Sequence, residues 1–352
     1  MRYFLTILIF LGWFFFGYLL ILYSLGSSLP RSNPVAIEIP QGASLKQIGS
    51  ILQSKGVIRS SFFFPYYAFI KGKRNLKHGF YEIKTTEKID QILEKLALGK
   101  QDLIKVVIPP GFNVIKIADR LSVNGINKKE FLYKLNTKKP FYPFEKNIKN
   151  TVSRKFKLEG YLYPGTYYLR KNADSQSVIN TMLGRFQQQL INLNVYKIIR
   201  TSNVIPPNFT LDNIVTIASL VEKEGHIKSE LPKIAGVIYN RLKNPKNNKL
   251  MIDASSIYIY SLRGINITNL SAKEIKSLDS PYNTYIYPGL PPGPICCPGR
   301  DSFLAALYPE KHNYEFYVTK KDGTRGHYFS RNYEEHLKRE ILSLENKKRQ
   351  RH

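Results

Sequence analysis

Two glutamates close the stretch IASLVEKEGHI, Ile217–Ile227, where an apolar helical face ought to continue. Carboxyl groups at the end of a buried face suit acid–base work, because partial burial disfavours the charged form and keeps a proton available near neutral pH. At ~100° per residue, Ile214, Ile217, Ala218 and Val221 share one face, Glu222 and Glu224 fall near its opposite borders, and Lys223 points outward. Helical spacing alone does not choose between the two glutamates. Asp253 in LMIDAS is a third carboxylate, able to activate water if the chemistry is hydrolytic, and His327 in GHYFS adds a hydrogen-bonding group. The cysteines, Cys296 and Cys297, are adjacent; Cα atoms ~3.8 Å apart exclude an ordinary disulfide, and no zinc-type spacing exists. No metal or other cofactor is expected.

The elements that must position these groups are legible as patterns. Thr210 is a helix cap and Asp212 suits the first turn of the helix that carries both glutamates. Upstream, IPQGASLKQIGSILQSKGVI (Ile39–Ile58) recurs as IPPGFNVIKIADRLSVNGIN (Ile108–Asn127), with Ile48, Leu52 and Gly56 answered by Ile117, Leu121 and Gly125. Phe62 and Phe131 open second helical stretches, and LKHGFYEI (Leu76–Ile83) is matched by LYPGTYYL (Leu162–Leu169) as a returning strand. The unit is therefore strand, helix, helix, strand, used twice. Downstream, SPYNTYIYPGLPPGPICCPGR holds too many prolines and glycines for a long helix or a central strand, so it is a structured loop followed by a helix after Gly299. YEFYVT and GHYFS then read as a hairpin joined by KKDGTR.

Lys and Arg number 53 against 26 Asp and Glu, a formal charge of +27, which points to an anionic partner. Tyr3–Leu25 contains no charged residue, is longer than the ~7–15 apolar residues of a cleavable signal, and suffices for a ~30 Å hydrocarbon core. It reads as a retained, single-pass transmembrane anchor.

LEGYLYPGTY, IASLVEKE, VIYNRL, SPYNTYIYPGLPPGPI with PG following, and GHYFS followed by EEH occur in the order found in the endolytic murein transglycosylases, and the chain resembles that YceG-like family over nearly its whole length. The resemblance implies an α+β protein: a transmembrane anchor with a short cytoplasmic N-terminus (1–28), a LysM-like βααβ module (35–103) and a mixed α/β YceG-like catalytic domain (104–345), with the second βααβ-like repeat at about 104–170. It implies a bacterial inner-membrane protein whose domain faces the periplasm or outside. It also implies endolytic cleavage of the β-1,4 bond between N-acetylmuramic acid and N-acetylglucosamine in nascent glycan strands, with 1,6-anhydro ends, terminating elongation. Peptidoglycan strands, the membrane and cell-wall synthases are the implied partners; nucleic acid is not one, since an outward-facing domain has no access to it. A muramidase-type hydrolase and a non-catalytic peptidoglycan-binding scaffold are the alternatives. Carried over by motif position, Glu222 is the implied catalytic acid, with Glu224 positioning the site or setting its electrostatics. Asn240, Asp253, Tyr282, Asn283, Tyr285, Glu159 and Tyr163 are the implied substrate-binding residues. One departure stands out: Met251-Ile252-Asp253-Ala254 replaces the family's common Gln-Thr-Asp-Pro and keeps only the aspartate.

Overall fold

A computed structural model describes residues 2–25, 33–99, 103–170, 172–245, 248–265 and 271–350, the side chains of 2–10, 22, 24 and 272 excepted. The chain is α+β and divides into two compact units, residues 1–106 with 167–171 and residues 107–166 with 172–352. Its first element, α1 (Arg2–Leu25), corrects the anchor expected over 1–28. Among the described residues no helix is long and apolar enough to cross a membrane. The single-pass topology, the inner-membrane placement and the membrane as anchoring partner fall with it.

The first unit continues with β1 (Val35–Ile39), α2 (Leu45–Ser54), α3 (Phe64–Ile70), β2 (Gly79–Ile83) and α4 (Ile89–Leu98). Strands β1 and β2 pair antiparallel from Val35↔Ile83 to Ile39↔Gly79. Alternation sends Ile37, Ile39, Tyr81 and Ile83 inward onto Ile48, Leu52, Phe64, Tyr67, Leu93 and Leu96. Helix α2 starts where it does because Ser44 and Gln47 form a reciprocal capping box: the Gln47 N–H donates to Ser44 Oγ at 3.3 Å and the Ser44 N–H to Gln47 Oε1 at 2.8 Å. It ends at Gly56, whose φ of 67° is the left-handed conformation a side chain disfavours.

The same order of elements recurs as β3 (Leu103–Ile108), α5 (Val114–Ser122), α6 (Lys128–Thr137) and β4 (Gly165–Arg170), with β3 paired to β4. Residues 103–106 of β3 and 167–170 of β4 belong to the first unit and the rest of this repeat to the second, which goes on with α7 (Ser175–Asn192), α8 (Val195–Thr201), α9 (Leu211–Glu224), α10 (Leu231–Lys243), α11 (Asp253–Leu262), α12 (Ala272–Ser277), α13 (Arg300–Leu307), the hairpin β5 (Phe316–Thr319) and β6 (His327–Ser330), and α14 (Tyr333–Arg349). The hairpin register runs Phe316↔Ser330 to Thr319↔His327.

Helix α9 is the axis of this unit, packed against α10, α11 and α13. Its sequence suggests a single apolar face, but every residue from Leu211 to Val221 other than Asn213 is buried. The polar ones are satisfied internally. Thr216 Oγ1 donates to the Asp212 carbonyl at 2.7 Å and Ser219 Oγ to the Thr216 carbonyl at 2.7 Å. Asp212 itself accepts from Arg154 at 2.8 Å and from the Tyr161 hydroxyl at 2.7 Å. With these bonds made, a helix of mixed composition can be enclosed at little cost.

Close approach at Gly160 locks the proline-rich loop onto this helix. Its φ is 88°, and a Cβ there would sit 2.4 Å from Pro294 Cβ and 3.1 Å from Val215 Cγ1. Gly160→Ala therefore combines left-handed backbone strain with overpacking, and a loss of roughly 3 kcal/mol is expected. Urea denaturation checks this: an unchanged midpoint would show that the loop does not bear on α9 as described.

Candidate active site

Helix α9 loses its enclosure at its last turn, and the two glutamates there meet different surroundings. Glu222, half-buried, turns toward α13: its Oε2 accepts from the Gly299 N–H at 2.9 Å and from Ser302 Oγ at 2.7 Å. Gly299 is the N-cap of α13 and has no side chain to bind the free N–H groups of the first turn. Glu222 supplies the missing acceptor, and its charge complements the helix dipole. Tyr163 lies near the same end of α13, where burial raises its hydroxyl pKa and the charges of Arg300 and Asp301 act on it in opposite senses.

Glu224 turns the other way, into a cleft of about 690 Å³ that it lines together with Arg241, Asp253, Lys276, Tyr285 and Tyr317. Burial pushes its carboxyl up to about 7; the hydrogen bond from Tyr317 pulls down, and the negative charge of Asp253 adds to the rise. The Tyr317 hydroxyl donates to Glu224 Oε2 at 3.1 Å, and the Tyr285 hydroxyl donates to Asp253 Oδ1 at 2.7 Å. Burial first, and then the bond to Asp253, hold Tyr285 above the ordinary tyrosine range. So two carboxylates face one cleft, each with a tyrosine hydroxyl on it. Their surroundings differ: Asp253 is exposed at the start of α11, while Glu224 is half-buried at the cleft wall and burial disfavours its charged form. A desolvated carboxyl beside a solvated carboxylate is the arrangement by which glycoside-cleaving sites separate a proton donor from a charge stabiliser.

The structure thus brings Glu224, Asp253 and Tyr285 together and leaves the other expected residues elsewhere. Glu159 is fully buried, accepting from the Val114 N–H at 3.2 Å and the Tyr258 hydroxyl at 3.1 Å, with burial raising its carboxyl to about 7. Tyr282 is buried with its ring 5.1 Å from that of Tyr258. Asn283 is buried and donates from Nδ2 to the Leu278 carbonyl at 2.7 Å and the Lys276 carbonyl at 3.1 Å, closing the chain after α12. Asn240 donates to the His312 and Tyr314 carbonyls, each at 2.8 Å, and lines a separate pocket of about 530 Å³. His327 is held by Glu230, Nδ1 to Oε2 2.8 Å, and its ring stands nearly perpendicular to that of Tyr317 at 5.5 Å. Cys296 and Cys297 are buried free thiols. Two cleft residues, Arg241 and Tyr317, escape a reading of the sequence. Arg241 sits in the quoted VIYNRL, and Tyr317 in the first strand of the hairpin, half-buried. Among the described residues no group of His, Cys, Asp and Glu could hold a metal ion.

The YceG-like family model matches residues 37–340. An endolytic murein transglycosylase of Streptococcus pneumoniae strain R6 is 30% identical over 349 residues, covering 92% of this chain and 61% of that protein. One of Bacillus subtilis strain 168 is 32% identical over 326 residues, covering 89% of this chain and 86% of its own length. The crystal structure of a YceG-like protein from Listeria monocytogenes superposes with a TM-score of 0.57 at 32% identity, covering 87% of this chain and 99% of that one. The chain spans less than two thirds of the length of the pneumococcal protein. With the family model matched over most of its residues and a Bacillus relative aligned over most of both lengths, the chain belongs to the YceG-like family.

Proposed function

We propose that this chain is an endolytic lytic transglycosylase of peptidoglycan, with Glu224 as its general acid and base. The observation that carries the assignment is the desolvated Glu224 carboxyl in the cleft, beside the solvated Asp253. Glu222 is engaged instead in capping α13. Protonated Glu224 donates to the oxygen linking C1 of N-acetylmuramic acid to C4 of N-acetylglucosamine. The C1–O bond breaks and positive charge develops at C1, which the Asp253 carboxylate in the same cleft stabilises. The C6 hydroxyl of the same muramic acid attacks C1, its proton passes to the Glu224 carboxylate, and the acid is regenerated. The product is a 1,6-anhydro end, formed without water. Support also comes from the names of the pneumococcal and Bacillus relatives and from a net charge of +27, which suits an acidic polymer.

Asp253 in the same cleft favours one rival, a muramidase in which it activates water. Mass spectrometry of uncrosslinked glycan strands after incubation with the full chain separates the two, because an anhydro end is lighter by one water than a reducing end. Anhydro ends on newly cut internal bonds are expected. Reducing ends would transfer the reading to hydrolysis, and uncut strands that still bind would leave a scaffold.

A further inference from the structure

Arg241 is a buried charge with no carboxylate in ion-pair contact: the charge of Glu315 acts on it, but its Nε meets the Glu315 carbonyl and not the carboxylate. Arg241 is 8% exposed, yet among the described residues it forms no ion pair. Its Nε donates to the Glu315 carbonyl at 2.5 Å and its Nη1 to the Leu250 carbonyl. Those bonds use two of the five guanidinium N–H groups and leave the rest for the cleft, which Arg241 lines. The guanidinium carbon stands 4.9 Å from the centre of the Phe316 ring, which stacks in turn on His336 at 5.2 Å and so fixes the plane of the fork. Burial lowers the pKa of the group, a sign that its charge is held against solvation. Two carbonyl bonds explain a donor at this position; they do not explain a full positive charge, whose desolvation costs several kcal/mol.

The cleft does not spend this charge on Glu224. That carboxyl takes its hydrogen bonds from neutral groups, the Tyr317 hydroxyl and the Ala254 N–H, and a guanidinium on it would hold it ionised and end its service as an acid. A second cation stands nearby: Lys276 Nζ lies 5.1 Å from the centre of the Tyr285 ring. A guanidinium with free paired donors matches a carboxylate in a way no neutral sugar hydroxyl does.

We propose that Arg241 is the carboxylate receptor of the cleft, taking an acidic substituent of the glycan strand and thereby setting which bond lies at Glu224. The inference rests on the transglycosylase reading for its substrate. The carboxylate has two sources, the lactyl group of a muramic acid stripped of its peptide, or an amino acid of an intact stem.

The test measures binding and cleavage separately, using the full chain and three strand preparations: peptide-free with lactyl carboxylates, intact stems with free carboxylates, and peptide-free with every lactyl carboxylate converted to its methylamide. Wild-type protein is expected to bind at least one charged preparation about tenfold or more tighter than the neutral one. Whichever charged preparation shows the preference names the source. Arg241→Gln should bind charged and neutral strands within about twofold of each other, and Arg241→Lys should keep part of the preference. Equal wild-type binding to all three preparations would overturn the proposal without recourse to any variant. So would a glutamine variant that weakens charged and neutral strands by the same factor, since that is the mark of a merely structural arginine. Preferential binding of charged strands with no cleavage would uphold the receptor while refuting the transglycosylase reading, so the two ideas fail separately.

Discussion

Replacing Glu224 with glutamine should lower glycan cleavage by about 10³-fold, within the range lost when a positioned general acid is removed. Glutamine keeps the side chain's shape and still accepts from the Tyr317 hydroxyl, but it has no proton to give to the glycosidic oxygen. The midpoint of unfolding should change little, and strands should still bind. Glu222→Gln is the control, because its remaining carbonyl oxygen can accept from the Gly299 N–H and from Ser302 Oγ. Its activity should stay within about threefold of wild type, whereas Glu222→Ala should cost about 1–3 kcal/mol of stability by stripping the acceptor from the start of α13. The measurement is the rate of release of soluble fragments from uncrosslinked strands, with far-ultraviolet circular dichroism and urea midpoints on the same samples. A Glu224→Gln protein as fast as wild type, beside an inactive but folded Glu222→Gln, would move the acid to Glu222.

That contrast marks where the sequence stops being informative. Thr210, the apolar run to Val221 and the two glutamates announce a capped helix with carboxyls at its end. Residues two apart on a helix differ by ~200°, so the pair must face different surfaces, but which surface is a cleft depends on segments far along the chain. Gly299 and Ser302 claim Glu222; Asp253, Tyr285 and Tyr317 gather around Glu224. No local pattern encodes that partition. The proline-rich loop misleads in a related way. Its polar motif residues resemble a binding surface, but a loop with so few backbone hydrogen bonds of its own must satisfy its neighbours with side chains, and Asn283 is consumed by the carbonyls of Leu278 and Lys276. Repeated strand–helix–helix–strand units are easier to read, since Ile48 and Leu52, like Ile117 and Leu121, keep the four-residue interval of a buried helical face. The hydrophobic stretch at the start shows the limit of a length argument. An uncharged run suggests a membrane span on paper, but among the described residues no helix is long and apolar enough to be one.

Asp253→Asn should slow cleavage by about 10²-fold and move its pH dependence downward, two effects with separate origins. The first is loss of a negative charge facing the developing positive charge at C1. The second acts through Glu224. Burial sets most of the rise in its carboxyl pKa to about 7, and the Asp253 charge contributes in the same direction because like charges oppose ionisation. Since the acid works protonated, kcat/KM in the wild type should be level on the acid side of about pH 7 and fall about tenfold per unit above it. Neutralising Asp253 removes one cause of the rise, so the fall should begin at lower pH. The variant's deficit is therefore smallest well below pH 7, where Glu224 is protonated in both proteins, and grows as pH climbs through the wild-type midpoint. Rates on one strand preparation from pH 5 to 9 resolve the two effects. A midpoint that stays in place, or rises, would show that Asp253 does not act on the group whose titration limits the reaction. An Asp253→Asn protein that loses a hydrolytic product but keeps binding would instead mark Asp253 as the base that activates water.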